Sequence, residues 1–396
     1  MRLLSIFTFL LFISASAQKN IHYVADHKDE IKTIKYSPDG SFIVSGGWDR
    51  LVQIHKSDST SALVQIVDDH RGAVNTIAFS RDNRTMITGG QDAKINIYIF
   101  DSTYFDVATS DTSLVLNEFE INRLIYGPGM RTIFSAGDDG QFITYDLVRQ
   151  KAIPLKGQRP ISAAAVSIDR RSYYIAYEGD AIIYRFDVRG KEINRLEGHS
   201  NDITDILVTV DRKSVISSSK DKSVRIWETK TGKEKHSWTD HTWAVTDIDI
   251  DPFATFLVSG SLDGTIILYD LKKMEMIDST HFKNTKINAV ALSPDYSQMS
   301  AATNKVGDEG FGYYVIQTDI KPRKILLPEP MDLAPLREKY QQKEQAKIDA
   351  QEAAKRKRQE AKKASEESKQ TKSSPASSKK TIKNGKQVEI TINDNE

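Results

Sequence analysis

Leu196 to Glu228, LEGHSNDITDILVTVDRKSVISSSKDKSVRIWE, is the stretch that decides the fold. Three runs within it, Ile203 to Val208, Ser214 to Ser217 and Ser223 to Trp227, are β-branched or apolar and are separated by turn-forming residues. They read as three short antiparallel strands. A unit this small cannot bury its own apolar face, so copies are expected on both sides. Downstream, Asp240-His241 leads through Ala244 to Ile250, Phe256 to Ser259 and the turn Leu262-Asp263-Gly264 to Leu268-Tyr269-Asp270. In both units an aromatic residue falls six positions after the turn Asp, Trp227 after Asp221 and Tyr269 after Asp263.

The same scheme runs upstream. The first unit passes from Asp26-His27 through Ile31 to Tyr36, the turn Ser37-Pro38-Asp39-Gly40, Phe42 to Ser45 and Gly46-Gly47-Trp48-Asp49 into Leu51 to His55. The second has Asp69-His70, Val74 to Phe79, Met86 to Thr88, Gly89-Gly90-Gln91-Asp92 and Ile95 to Tyr98. The third lacks the leading His but keeps Ile133 to Ser135, Gly137-Asp138-Asp139-Gly140 and Phe142 to Tyr145. The fourth is the most eroded, with Ile161 to Ile168, Tyr173 to Tyr177, Gly179-Asp180 and Ile182 to Phe186. A seventh, after the two already described, reads Ile287 to Leu292, Met299 to Thr303 and Tyr314 to Gln317, with a Gly-rich loop where the turn Asp belongs.

Gly198-His199 at the front, Asp221 in the turn and Trp227 at the strand end resemble one WD40 repeat. Seven units between about Ile21 and Leu327 imply an all-β fold, a seven-bladed propeller over 18–327. Members of this family close the ring with an N-terminal strand, a role that Ile21 to Val24 fits and for which Lys324 to Leu327 is a rival. The resemblance also implies a buried hydrogen-bonded tetrad in each well-kept blade. His199, Ser217, Asp221 and Trp227 make the full set; His241, Ser259 and Asp263 match with Tyr269; His70, Thr88 and Asp92 with Tyr98; His27, Ser45 and Asp49 with His55. Blade three keeps Ser135, Asp139 and Tyr145, and blade four Asp180 and Phe186, so their loops are expected to be held less firmly.

One His and one Asp recur per blade, so they sit apart around a ring instead of converging on one ion or one reacting bond. No catalytic residue, metal site or cofactor is therefore assigned. Asp205 and Asp247 occupy equal offsets on neighbouring blades, but Thr33 and Thr76 hold the same offset, which favours a small polar packing position over a cation site. The resemblance implies a non-enzymatic scaffold that docks another protein or peptide on its top surface. The positions there are Trp48, Arg71, Gln91, Asp138, Asn201, Lys220, Thr242 and Trp243, with the two exposed indoles as anchors. The alternative is a propeller enzyme or small-ligand sensor using the central channel, for which little beyond Asp205 and Asp247 speaks. Oligomeric state stays open.

Residues 1–17 combine Arg2, an apolar run from Leu3 to Ile13 and Ala15-Ser16-Ala17, the pattern of a signal peptide cut before Gln18. An exported chain is expected, and the count of 0 Cys places it in a periplasmic or secreted bacterial setting. A net charge of +1 gives no reason to expect nucleic acid as a partner. Behind the propeller come a Pro-rich linker (328–335), a charged helix (336–369) and a Ser- and Lys-rich tail (370–396) with a hairpin signal at Asn384-Gly385. This segment is basic, which suggests peripheral association with anionic envelope material.

Overall fold

The computed structural model describes residues 20–101, 104–107, 112–157, 159–304 and 310–372. Its described residues form seven antiparallel sheets, six of four strands and one of five. Each sheet is one blade. The inner strands are Ile31–Tyr36, Val74–Phe79, Ile121–Tyr126, Ile161–Val166, Ile203–Val208, Val245–Ile250 and Ile287–Leu292, one from each of blades one to seven. From its inner strand each blade runs outward, as Ile203–Val208, Ser214–Ser219, Val224–Glu228 and Glu234–Trp238 do in blade five. Blade two carries an extra short strand, Tyr104–Val107, folded back on Lys94–Asp101.

Ring closure is settled in favour of the N-terminal strand. Ile21–His27 pairs antiparallel with Phe311–Gln317 as the outer strand of blade seven. Lys324 to Leu327 forms no strand and lies elsewhere. Closure by the first strand ties the two ends of the propeller together by main-chain hydrogen bonds, which leaves no open edge at the seam.

The apolar residues that alternate along these strands gather into seven clusters, one at each junction between neighbouring blades. The junction of blades four and five, for example, buries Ala163, Tyr174, Ile183, Ile203, Ile206 and Trp227. Full burial of one such aliphatic side chain contributes about 1.5–3 kcal/mol. The blades also approach too closely for a larger residue at some second-strand positions: a Cβ on Gly260 would lie 2.5 Å from a Val290 methyl. This is why Gly stands inside a strand there.

A ring of polar clasps reinforces the junctions. The second residue of an inner strand donates to the carbonyl of the first residue of the next blade: Asn75 to Ile121 (3.0 Å), Asn122 to Ile161 (2.9 Å), Thr204 to Val245 (2.9 Å), Thr246 to Ile287 (2.9 Å) and Asn288 to Ile31 (3.2 Å). The last of these crosses the seam.

The C-terminal unit is a single helix, Ala334–Lys372, longer at both ends than 336–369. Asp332 accepts the Ala334 N–H at 2.9 Å just before it, and Pro335 sits in the first turn, where its missing N–H costs nothing. Glu344 with Lys347 (3.1 Å) and Gln345 with Asp349 (2.9 Å) pair along it, whereas among the described residues Glu352 and Arg356 make no ion pair with each other. No helix among the described residues is long and apolar enough to cross a membrane. The signal-peptide pattern of residues 1–17 and the hairpin signal at Asn384-Gly385 lie outside the described residues.

Candidate functional site

Inner strands begin on the face that carries the leading His and the turn Asp, here called the top, and end on the opposite face. On the top, blade five holds the full tetrad. His199 Nδ1 lies 2.8 Å from Asp221 Oδ2, His199 Nε2 lies 2.8 Å from Ser217 Oγ, and Trp227 Nε1 donates to the same hydroxyl at 2.8 Å. Asp221 also accepts the Ser200 and Ser223 N–H groups at 3.0 and 2.9 Å. One carboxylate thereby ties the loop entering the blade to the turn between its second and third strands. Burial acts to raise the Asp221 pKa, but the His199 ring, the Ser223 hydroxyl and the Ser200 N–H outweigh it and hold the carboxyl well below its ordinary range.

Blades one, two and six repeat the arrangement with one change each. His27 contacts Asp49 at 2.9 Å and Ser45 at 2.8 Å; His70 contacts Asp92 at 3.1 Å and Thr88 at 2.7 Å; His241 contacts Ser259 at 2.7 Å and stands 3.4 Å from Asp263. The fourth member does not close these sets. His55 turns to Asp26 at 2.8 Å, and the buried Tyr98 and Tyr269 hydroxyls have no well-formed hydrogen bond. A phenol at the strand end fills the space of the indole and stands beside the second-strand hydroxyl without a well-formed hydrogen bond to it.

The expectation for blade three is corrected. Asn117 replaces the His: its amide donates to Asp139 at 3.0 Å and its carbonyl accepts from Ser135 Oγ at 2.7 Å. The Glu118 and Gln141 N–H groups reach Asp139 at 2.9 Å, so this loop is pinned like the others. Asn117 stands 18 residues before Ser135 and 22 before Asp139, the separations His199 keeps from Ser217 and Asp221. That spacing was the signal. In blade four the turn is one residue longer, and Gly179, with φ +72°, holds the place of the turn Asp. Asp180 arrives one position later and is held instead by Arg159 (2.7 Å) and Tyr184 (2.8 Å).

The expected docking residues all lie along the top edge. Trp48 is 44% exposed, with the Lys32 ammonium 4.6 Å from its ring centre, and Trp243 is 59% exposed. Arg71, Asn201, Lys220, Thr242 and Asp138 are exposed, and Gln91 is half-buried. Several are also structural: Arg71 and Thr242 offer their N–H groups to Asp92 (2.9 Å) and Asp263 (2.7 Å), and Asp138 accepts from Asn122 at 2.6 Å. Lys220 pairs with Asp202 at 2.8 Å.

Below the top, Asp205 and Asp247 face the channel, and the third inner-strand position is more than a packing site. In blade three it is Arg123, whose guanidinium lies 2.5 Å from Asp205 and 3.8 Å from Asp247. Asp247 also accepts the Val290 N–H at 3.0 Å. Lower down, Lys35 pairs with Asp249 at 3.1 Å, and Asp249 accepts the Leu292 N–H at 3.0 Å. Burial pushes the Asp205 carboxyl up despite Arg123, and Asp247 adds to the rise, the behaviour of two carboxyls facing one cation. Among the described residues no group of three or more His, Cys, Asp or Glu side chains is arranged to hold a metal ion.

Residues 18–56, 61–98, 190–228 and 232–270 match the model of the WD domain, G-beta repeat. Four stretches of this chain are WD40 repeats. They are the stretches that carry the His-containing sets. The WD40 signal fades where Asn117 stands for His, where the turn of blade four is lengthened and where blade seven has a Gly-rich connection, although the propeller continues through all three. No curated protein matches the chain significantly. WD40 propellers are typically non-enzymatic scaffolds and generally bind other proteins.

Proposed function

We propose that this WD40 propeller is a non-enzymatic docking platform that receives another protein or peptide on its top face, in the periplasm or secreted space of a bacterium. The observation that carries the reading is the pair Trp48 and Trp243, large indoles left in water on loops whose backbone is already fixed by Asp49 and Asp263. Folding does not need either ring exposed. A rigid aromatic on a pinned loop loses little entropy when a partner covers it, which is what an interface anchor requires. The signal-peptide pattern and the count of 0 Cys support export, and the balanced charge of +1 speaks against nucleic acid. The basic helix supports peripheral contact with anionic envelope material.

The channel reading is weaker, because Arg123 is already paired with Asp205 and lies 3.8 Å from Asp247, so the cation and the carboxylates there are engaged with one another. Photo-crosslinking in the native cell tests the platform, with the reactive residue at Trp48, at Trp243 or, as a control, at Ile153, which is exposed on the outer rim. Discrete protein adducts are expected from the two top positions and not from the rim. Equal labelling at all three, or none at the top with intact exported protein, refutes it.

A further inference from the structure

The bottom face has a different construction from the top. Turns at the ends of the seven inner strands form a collar around the channel mouth, contributing Pro38, Arg81, Pro128, Ile168, Val210, Pro252 and Pro294 at equivalent places. Six of these are apolar and one is a guanidinium. Across the mouth runs a strap. At one end the Arg323 N–H donates to the Asp295 carbonyl at 3.2 Å and its guanidinium covers the Phe253 ring at 3.7 Å; at the other the Met331 N–H donates to Asp82 at 2.9 Å. These anchors belong to blades six and seven on one side and blade two on the other, so Ile325 to Pro328 cross the opening. Between strap and collar lies a cavity of about 620 Å³. That size suits a small molecule, for which pockets of ~300–1,000 Å³ are usual.

Two features say what the cavity takes. Leu326, at the middle of a segment tied down at both ends, is 80% exposed, so it has an apolar surface to offer to an occupant. Arg81, exposed at the rim of the cavity, makes no hydrogen bond or ion pair among the described residues, and the covered part of its side chain lowers its pKa with no carboxylate to offset the cost. The neighbouring Asp82 is turned inward and occupied by Ser80 and the strap. Deeper in, Lys35 and Asp249 cancel each other. A cation without a protein counterion at the rim of a collar of prolines and aliphatic residues suits one kind of occupant: an anion whose remainder is apolar.

We propose that the bottom mouth binds an amphipathic monoanion, its acid group on Arg81 and its apolar body between the proline collar and the Ile325 to Leu327 strap. The site is distinct from the top-face platform and does not depend on it. Calorimetric titration of the full mature chain with decanoate, decanol and decylammonium tests it. Decanoate should bind about tenfold more tightly than decanol, as one charge-assisted contact implies, and decylammonium should bind least. Arg81→Gln should erase the preference for decanoate over decanol, Arg81→Lys should keep much of it, and Leu326→Ser should weaken both ligands alike. Because Arg81 has no partner among the described residues and Leu326 is 80% exposed, these variants should melt like the parent. No decanoate binding to the parent, or a preference for the anion that survives Arg81→Gln, overturns the proposal.

Discussion

Blades five and three hold the same turn carboxylate in place by different chemistry. In blade five, Asp221 meets the His199 ring, which in turn reaches a hydroxyl shared with Trp227. In blade three, Asp139 meets the Asn117 amide, whose carbonyl accepts from the Ser135 hydroxyl. Each carboxylate also takes N–H groups from the entering loop and from its own turn. The geometry that matters is therefore the carboxylate bridging two stretches of backbone, and the residue behind it is replaceable. What His and Trp add is a buried connection from the top loops into the blade core.

Removing the carboxylate should separate the two blades most clearly. Asp221→Ala leaves the His199 ring and two N–H groups without a partner in a closed site and should cost about 3 kcal/mol, whereas Asp139→Ala should cost about 1–2 kcal/mol. Denaturant unfolding of both variants measures this. Equal losses would mean that the His and Trp shell adds nothing to the bridge.

Acid sharpens the comparison next. Asp49, Asp92, Asp221 and Asp263 are all lowered below the ordinary range; burial opposes the shift, but hydrogen bonds from His, backbone N–H groups and, in blade five, Ser223 outweigh it. A depressed carboxyl contributes stability that is fully present above its unfolded value of about 3.9 and is lost as pH falls toward its folded value. The melting temperature should fall steeply below about pH 4, and Asp221→Asn should flatten that decline. Asp205 acts with the opposite sign. Its carboxyl is raised, so its contribution falls as pH rises from about 3.9 through the raised value, and Asp205→Asn should reduce that loss. Melting curves from pH 2 to 9 on the three proteins check both slopes.

The smallest effects concern the strand-end aromatic. Trp227→Phe removes the N–H donor to Ser217 and part of a fully buried ring and should cost about 1–2 kcal/mol. Tyr269→Phe removes a buried hydroxyl that has no well-formed hydrogen bond and should stay within about 0.5 kcal/mol of the parent, or stabilise slightly. A large loss for Tyr269→Phe would show that the phenol closes its set after all.

The inner three strands of most blades and the blade count follow from local patterns: alternating β-branched residues, the turn residues between them, and a repeat of about 40 residues. The outer strands such as Glu234–Trp238, the inner strand Ile121–Tyr126 and the register come from the structure. The His–hydroxyl–Asp sets of blades one, two, five and six follow from fixed separations between those residues, and only blade five adds the fourth member. Asn117 obeyed the same separations but offered a different residue type, which is why the letter pattern hid it. The one-residue lengthening at Gly179-Asp180 is likewise clear only once strand pairing shows which residue faces which.

The partners across the ring lie beyond any such pattern. Arg123, Asp205 and Asp247 come from blades three, five and six, and nothing within a repeat announces that the third positions of separate inner strands point at one axis. Closure places them together, and so does the crossing of the bottom mouth by a strap far from Arg81 in sequence. Local chemistry sufficed for the blade, because a strand's pairing and burial depend on neighbours a few residues away. The channel and the collar needed the closed ring, because their contacts join residues that only the full circuit of seven blades brings within reach of a side chain.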